Sequence, residues 1–115
     1  MKFPDKLEFL AAFGLEPEDE DPSTSYVRYV FRSNTGPLEA EVSFSDVSKS
    51  FQISTRIAGN IFGTISSEKV NLIEITQGQN GESGLRVVFN IHDVVSEALI
   101  TFTPEITYHW WLIGE

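Results

Sequence analysis

YVRYVFRSNTGPLEAEVSFSDVSKSFQISTRI, residues 26–57, decides the fold, because its apolar residues recur with a period of two. Val27, Tyr29 and Phe31 alternate with Arg28, Val30 and Arg32. The turn residues Asn34-Thr35-Gly36-Pro37 follow, and then Leu38, Ala40, Val42 and Phe44 alternate with Glu39, Glu41 and Ser43. Pairing Ser33 with Leu38 sets Phe31 opposite Ala40, Tyr29 opposite Val42 and Val27 opposite Phe44, with Arg32 meeting Glu39 on the other face. A slip of one residue would move every apolar side chain to the polar face, so this register is strongly specified.

A second hairpin extends the first across Asp46-Val47-Ser48-Lys49-Ser50. Phe44 then meets Phe51, Val42 meets Ile53, Ala40 meets Thr55 and Leu38 meets Ile57, while Glu39 lies between Arg32 and Arg56 on the polar face. The arginines therefore have a structural role as cross-strand partners of acids.

The same period continues downstream. Ala58-Gly59-Asn60 marks a turn into Ile61–Ile65, where Gly63 signals a weak point or a bulge. Val70 to Gln77 forms another strand, and the polar stretch Gly78–Gly84 forms a hairpin tip. Leu85, Val87, Phe89 and Ile91 make one inward row, and Ala98, Ile100 and Phe102 the next. Between them, Asp93 as a cap and the helical spacing of Val94, Val95, Ala98 and Leu99 admit a helical turn within 92–97, with a strand expected over 98–103. Pro104-Glu105 turns the chain into a final strand, Ile106–Ile113.

Upstream, Asp5 and Glu8 have the spacing of a capping box, and Gly14 is a natural helix stop. Leu7, Phe9, Leu10, Ala11 and Phe13 give this helix a broad apolar face, expected to pack on the sheet. Residues 15–24 then read as an acidic connector. Glu16, Glu18, Asp19, Glu20 and Asp21 stand there between Pro17 and Pro22 or beside them, and they carry more than half of a net charge of -9. The fold class is α+β: a single domain, 1–115, with the helix in 1–14 and an antiparallel region over 25–115. Seven to eight strands are expected in a strongly curved, mostly antiparallel sheet, arranged as a meander, half-barrel or sandwich.

The charge limits function. A negative field repels phosphate backbones and anionic lipid and favours a basic partner, so neither nucleic acid nor a membrane is expected as a direct partner. With 115 residues and no cysteine, the chain has no disulfide framework, thiolate nucleophile or zinc-thiolate site. It shows neither a signal-peptide pattern nor an apolar run of membrane-spanning length, which makes the cytoplasm the expected location.

Catalytic chemistry is sparse. His92 and His109 are the only histidines, and neither sits in a hydrolase or metal-ligand motif. The acidic run is continuous, unlike the alternating ligands of a calcium loop. No enzymatic role, cofactor or metal is expected. On the last strand adjacent side chains point to opposite faces, so with Tyr108 and Trp110 inward, His109 and Trp111 face outward. Trp111 then requires cover, either from the chain's own helix, the simpler expectation, or from a partner.

In size, lack of cysteine, the acidic run Glu16–Asp21 and the order helix-then-strands, the chain resembles the small acidic immunity proteins with which bacteria neutralise toxins. The resemblance implies binding to a basic cognate toxin domain such as a nuclease. The acids at 16, 18, 19, 20 and 21 would steer association, with Trp111 and His109 as candidate contacts. The alternative is a barrel-like binder of an apolar ligand, lined by the inward rows.

Overall fold

The structure, a computed structural model, describes residues 1–33 and 36–112. The expected turn residues Asn34 and Thr35, and Ile113 of the last expected strand, lie outside them. One helix, α1 (Lys6–Phe13), precedes nine strands: β1 (Asp19–Asp21), β2 (Tyr26–Arg32), β3 (Leu38–Ser45), β4 (Ser50–Ile57), β5 (Asn60–Ser67), β6 (Val70–Gln77), β7 (Ser83–Ile91), β8 (Val94–Thr103) and β9 (Thr107–Leu112).

The strands form two open antiparallel sheets, each a meander in chain order: β1-β2-β3-β4-β5 and β6-β7-β8-β9. Of the expected forms, meander, half-barrel or sandwich, the two-layered one is present, and the expected seven or eight strands become nine among the described residues, in two open sheets. The split falls at the β5–β6 turn. There Lys69 takes a left-handed conformation, and the Val70 amide donates to the Lys49 carbonyl instead of continuing the first sheet.

Every pairing expected between residues 27 and 57 is present, including Tyr29 with Val42, Phe44 with Phe51 and Arg32 with Glu39. The inward rows of both sheets merge into one core with Phe9 of α1. Phe31 on β2 stacks on Phe102 on β8, with centroids 3.6 Å apart and planes 4° from parallel. Side chains thus fill the space between the layers, and the sheets do not close into a ligand-holding barrel. The strand order across the β7–β8 pair steps at Ser83/Gly84, which leaves Phe102 as the extra residue of a bulge. Gly84 permits it: a side-chain carbon there would overlap the Ile100 carbonyl oxygen.

The helix has the expected caps. Asp5 accepts from the Glu8 amide at 2.8 Å, the Asp5 amide donates to Glu8 at 3.1 Å, and Gly14 closes the helix with φ 69°. Its apolar face is narrower in use than its composition suggests. Phe9 stacks on Tyr29 and Phe13 packs edge-on against Phe31 and Phe102, but Leu7 is 75% exposed and Leu10 and Ala11 also face solvent. The helix sits over the gap between β2 and β6, where Glu8, Ala11 and Ala12 border Ile75 and Gln77. Ahead of it, Lys2 bridges to Leu72 and exchanges backbone hydrogen bonds with Asn71 and Ile73 at 3.0 and 2.8 Å.

Two local expectations are corrected. The segment 92–97 holds no helical turn: His92 and Asp93 both have positive φ, 48° and 66°, and make a two-residue hairpin turn that starts β8 at Val94. Within the acidic connector 15–24, residues 19–21 are a strand, with Asp19 opposite Arg28, Glu20 opposite Val27 and Asp21 opposite Tyr26.

Candidate partner-binding surface

The outer faces of both sheets are neutralised by cross-strand ladders. Glu41 lies between Arg28, at 3.4 Å, and Arg56; Arg32 pairs with Glu39 at 3.0 Å; and Arg86 bridges Glu74 and Glu97 at 2.9 and 3.0 Å. Arg56 is opposite Glu39 in register, yet its guanidinium turns to Glu41. These arginines are occupied, and among the described residues the faces they cover offer no free cationic patch.

The acidic run is different. Glu16, Glu18, Asp19, Glu20 and Asp21 are all exposed along the β1 edge. Two are partly neutralised, Glu18 by Arg32 at 3.8 Å and Glu20 by Lys6 at 3.2 Å. Asp21 accepts from the Ser23 hydroxyl at 2.7 Å and the Ser23 amide at 3.0 Å, which lowers its pKa. Among the described residues, Glu16 and Asp19 have no ion pair. A row of carboxylates along an edge strand also discourages further strand pairing there.

A pocket of about 340 Å³ opens beside this edge, walled by Phe3, Tyr26, Val27 and Phe44, with Asp5, Lys6 and Glu20 at its rim. Tyr29 closes it from the core side. That residue is 1% exposed, and its hydroxyl makes no hydrogen bond among the described residues. Burial, then the charges of Glu20 and Asp5, push its pKa up to about 12.

Trp111 and His109 lie elsewhere. Both are exposed on β9, and Trp111, 40% exposed opposite Glu97, is not covered by α1. The helix packs on the β2/β6 side, whereas β9 neighbours β5: a carbon added at Gly63 would lie 3.5 Å from the Tyr108 hydroxyl. With β1 and β5 at opposite edges of one sheet, the acidic run and Trp111 occupy opposite flanks. The structure does not bring these sequence-derived candidates together.

The Trp111 flank holds features that the sequence reading passed over. Ile57, Ile61 and Phe62 are exposed at the β4–β5 hairpin, with Phe62, 60% exposed, as the extra residue of a bulge beside Gly63. The glycine signal was legible, but the identity of the displaced residue depends on cross-strand register. A groove of about 890 Å³ runs between β5 and the second sheet, lined by Gln52, Ile65, Phe89, Asn90, His92 and Trp110. Among the described residues no group of three or more His, Asp or Glu side chains is placed to hold a metal ion. No described helix is long and apolar enough to cross a membrane.

No protein-family model and no curated protein sequence matches the chain. Among solved structures, a chain of the contact-dependent growth inhibition toxin–immunity protein complex from Klebsiella pneumoniae 342 is similar over nearly its whole length. The TM-score is 0.86 at 20% identity, covering 97% of this chain and 96% of that one. At this identity the likeness is one of fold.

Proposed function

We propose that this chain is an immunity protein, which binds a toxin domain and blocks it by occupation, with no chemistry of its own. The observation that carries the reading is the near end-to-end fold likeness to a chain from a toxin–immunity complex. Two features favour the inhibitor half of such a pair. The net charge is -9, and its most concentrated part is a solvent-facing edge suited to meeting a basic surface. The two histidines sit on separate elements, His92 in the β7–β8 turn and His109 on the outer face of β9.

A basic partner points to an enzyme that handles a polyanion, and a nuclease is the toxin class proposed. Its site of action, and hence that of the inhibitor, would be the cytoplasm. The test is co-expression with a candidate cognate toxin domain. Growth restored by this chain, together with a stoichiometric complex on gel filtration, supports the reading. Continued toxicity at matched expression of a folded chain overturns it.

A further inference from the structure

The pocket beside β1 combines features that a solvated acidic edge does not require. Its walls are aromatic and aliphatic, two carboxylates stand at its rim, and its inner end is the Tyr29 hydroxyl, which no protein group partners. Tyr29 as a residue is 1% exposed, yet its hydroxyl is not fully enclosed, so it meets the pocket as an acceptor and donor open to an incoming group. The rim also shows what it prefers, since the Lys6 ammonium rests on Glu20 at 3.2 Å.

We infer that this pocket receives one arginine or lysine side chain of the toxin, its stem against Phe3 and Tyr26 and its cationic head among Glu20, Asp5 and the Tyr29 hydroxyl. The identity of the partner rests on the immunity reading; the chemistry of the pocket does not. Long basic side chains bury apolar stems while presenting a charged head, and guanidinium groups favour aromatic faces. The Tyr29 oxygen can accept from a cationic N–H donor, and of the causes that push its pKa up to about 12, burial and then the charges of Glu20 and Asp5, the two carboxylates also attract such a cation. The volume, about 340 Å³, is at the small end for ligand cavities and suits a side chain better than a whole cofactor. Lys6 acts as a resident stand-in that the incoming cation displaces.

The pocket can be tested without a toxin. The chain is titrated with N-acetyl-arginine amide and N-acetyl-lysine amide, with the uncharged N-acetyl-citrulline amide as control, and backbone amide shifts are followed by NMR. The expected result is saturable shifts confined to residues 3–6, 20–29 and the neighbourhood of Phe44, weakened about fivefold in E20Q, as for loss of one partly exposed ion pair. Y29F, which keeps the ring stacked on Phe9, also weakens binding. K6Q tightens it, whereas K69Q, with the same change in net charge but in the β5–β6 turn, does not.

Equal response to the citrulline amide, shifts spread evenly over Glu16 to Asp21 and Glu105, or equal effects of K6Q and K69Q overturn the pocket. A dimer that dissociates in E20Q would assign it to a second copy of this chain, and likewise overturns a toxin side chain as occupant. With the toxin in hand the two readings separate. Neutralisation unaffected by the E20Q/Y29F pair keeps the immunity reading and removes the pocket from it. Pocket binding without neutralisation removes the immunity reading alone.

Discussion

Phe31 and Phe102 lie face to face across the two sheets, 3.6 Å between ring centroids, with Phe13 edge-on to both. This aromatic triad joins β2, β8 and α1, and it depends on a bulge that only a residue without a side chain opposite it allows.

Replacing Phe102 or Phe31 by Ala should therefore cost about 3–5 kcal/mol in chemical denaturation, the usual range for a buried aromatic. The double variant should show a coupling of about 0.5–1.5 kcal/mol from the lost ring pair. Purely additive losses would mean that the stacking contributes nothing beyond burial.

Gly84→Ala should destabilise by about 3 kcal/mol, at the upper end for overpacking, because the new carbon meets backbone at Ile100 and not a side chain that can rotate away. Denaturation midpoints read this directly. A midpoint within error of wild type would show that the bulge relaxes freely.

Alkaline pH should expose Tyr29. Its pKa is raised from 10 to about 12 in the folded state, so between these values the unfolded chain loses the phenolic proton while the folded chain keeps it. Stability from this group is full below pH 10 and is lost as pH rises through 12, at most about 3 kcal/mol. Phenolate absorbance should show one late-titrating tyrosine, and Y29F should remove the steep alkaline loss.

Replacing Glu16, Glu18, Asp19, Glu20 and Asp21 by Ser and Asn should slow association with the toxin by about tenfold at low salt and flatten its salt dependence. Folding should survive, since the two ion pairs removed are exposed and worth about 0–1 kcal/mol each. Stopped-flow kinetics at two ionic strengths provide the measurement; an unchanged rate would leave the run as an edge guard only.

Trp111→Ala should cost about 1–2 kcal/mol in stability, because the ring is 40% exposed and the rest of it is packed on the sheet. If this flank contacts the toxin, affinity should fall by about 2 kcal/mol, as for an interface anchor. Calorimetry on the same sample separates the two effects, and unchanged affinity would confine the contact to the acidic flank.

Much of the architecture was legible because period-two burial and charge complementarity agree between residues 26 and 57: Arg32 can face Glu39 only in the register that also puts Tyr29 opposite Val42. The helix was legible from its caps, which are local chemistry. What escaped depends on distant partners. Asp19–Asp21 has poor strand propensity and becomes a strand through the backbone of β2, and His92-Asp93 enters left-handed space to close a hairpin that resembled a helix start. The uncovered Trp111 and the pocket at Tyr29 depend on where α1 docks, and Leu7 and Leu10, apolar but exposed, carried no sign of that.

The bridge from Lys2 to Leu72 also orders events on the ribosome. Strands β1 to β5 can pair as they emerge, each with its immediate predecessor, which favours rapid local assembly. Their inner face nevertheless stays bare until β6 to β9 have been synthesised, and Lys2, made long before Leu72, has no place to dock until that residue exists. The nascent chain thus passes through an interval with half a core open to solvent, in which aggregation competes with completion.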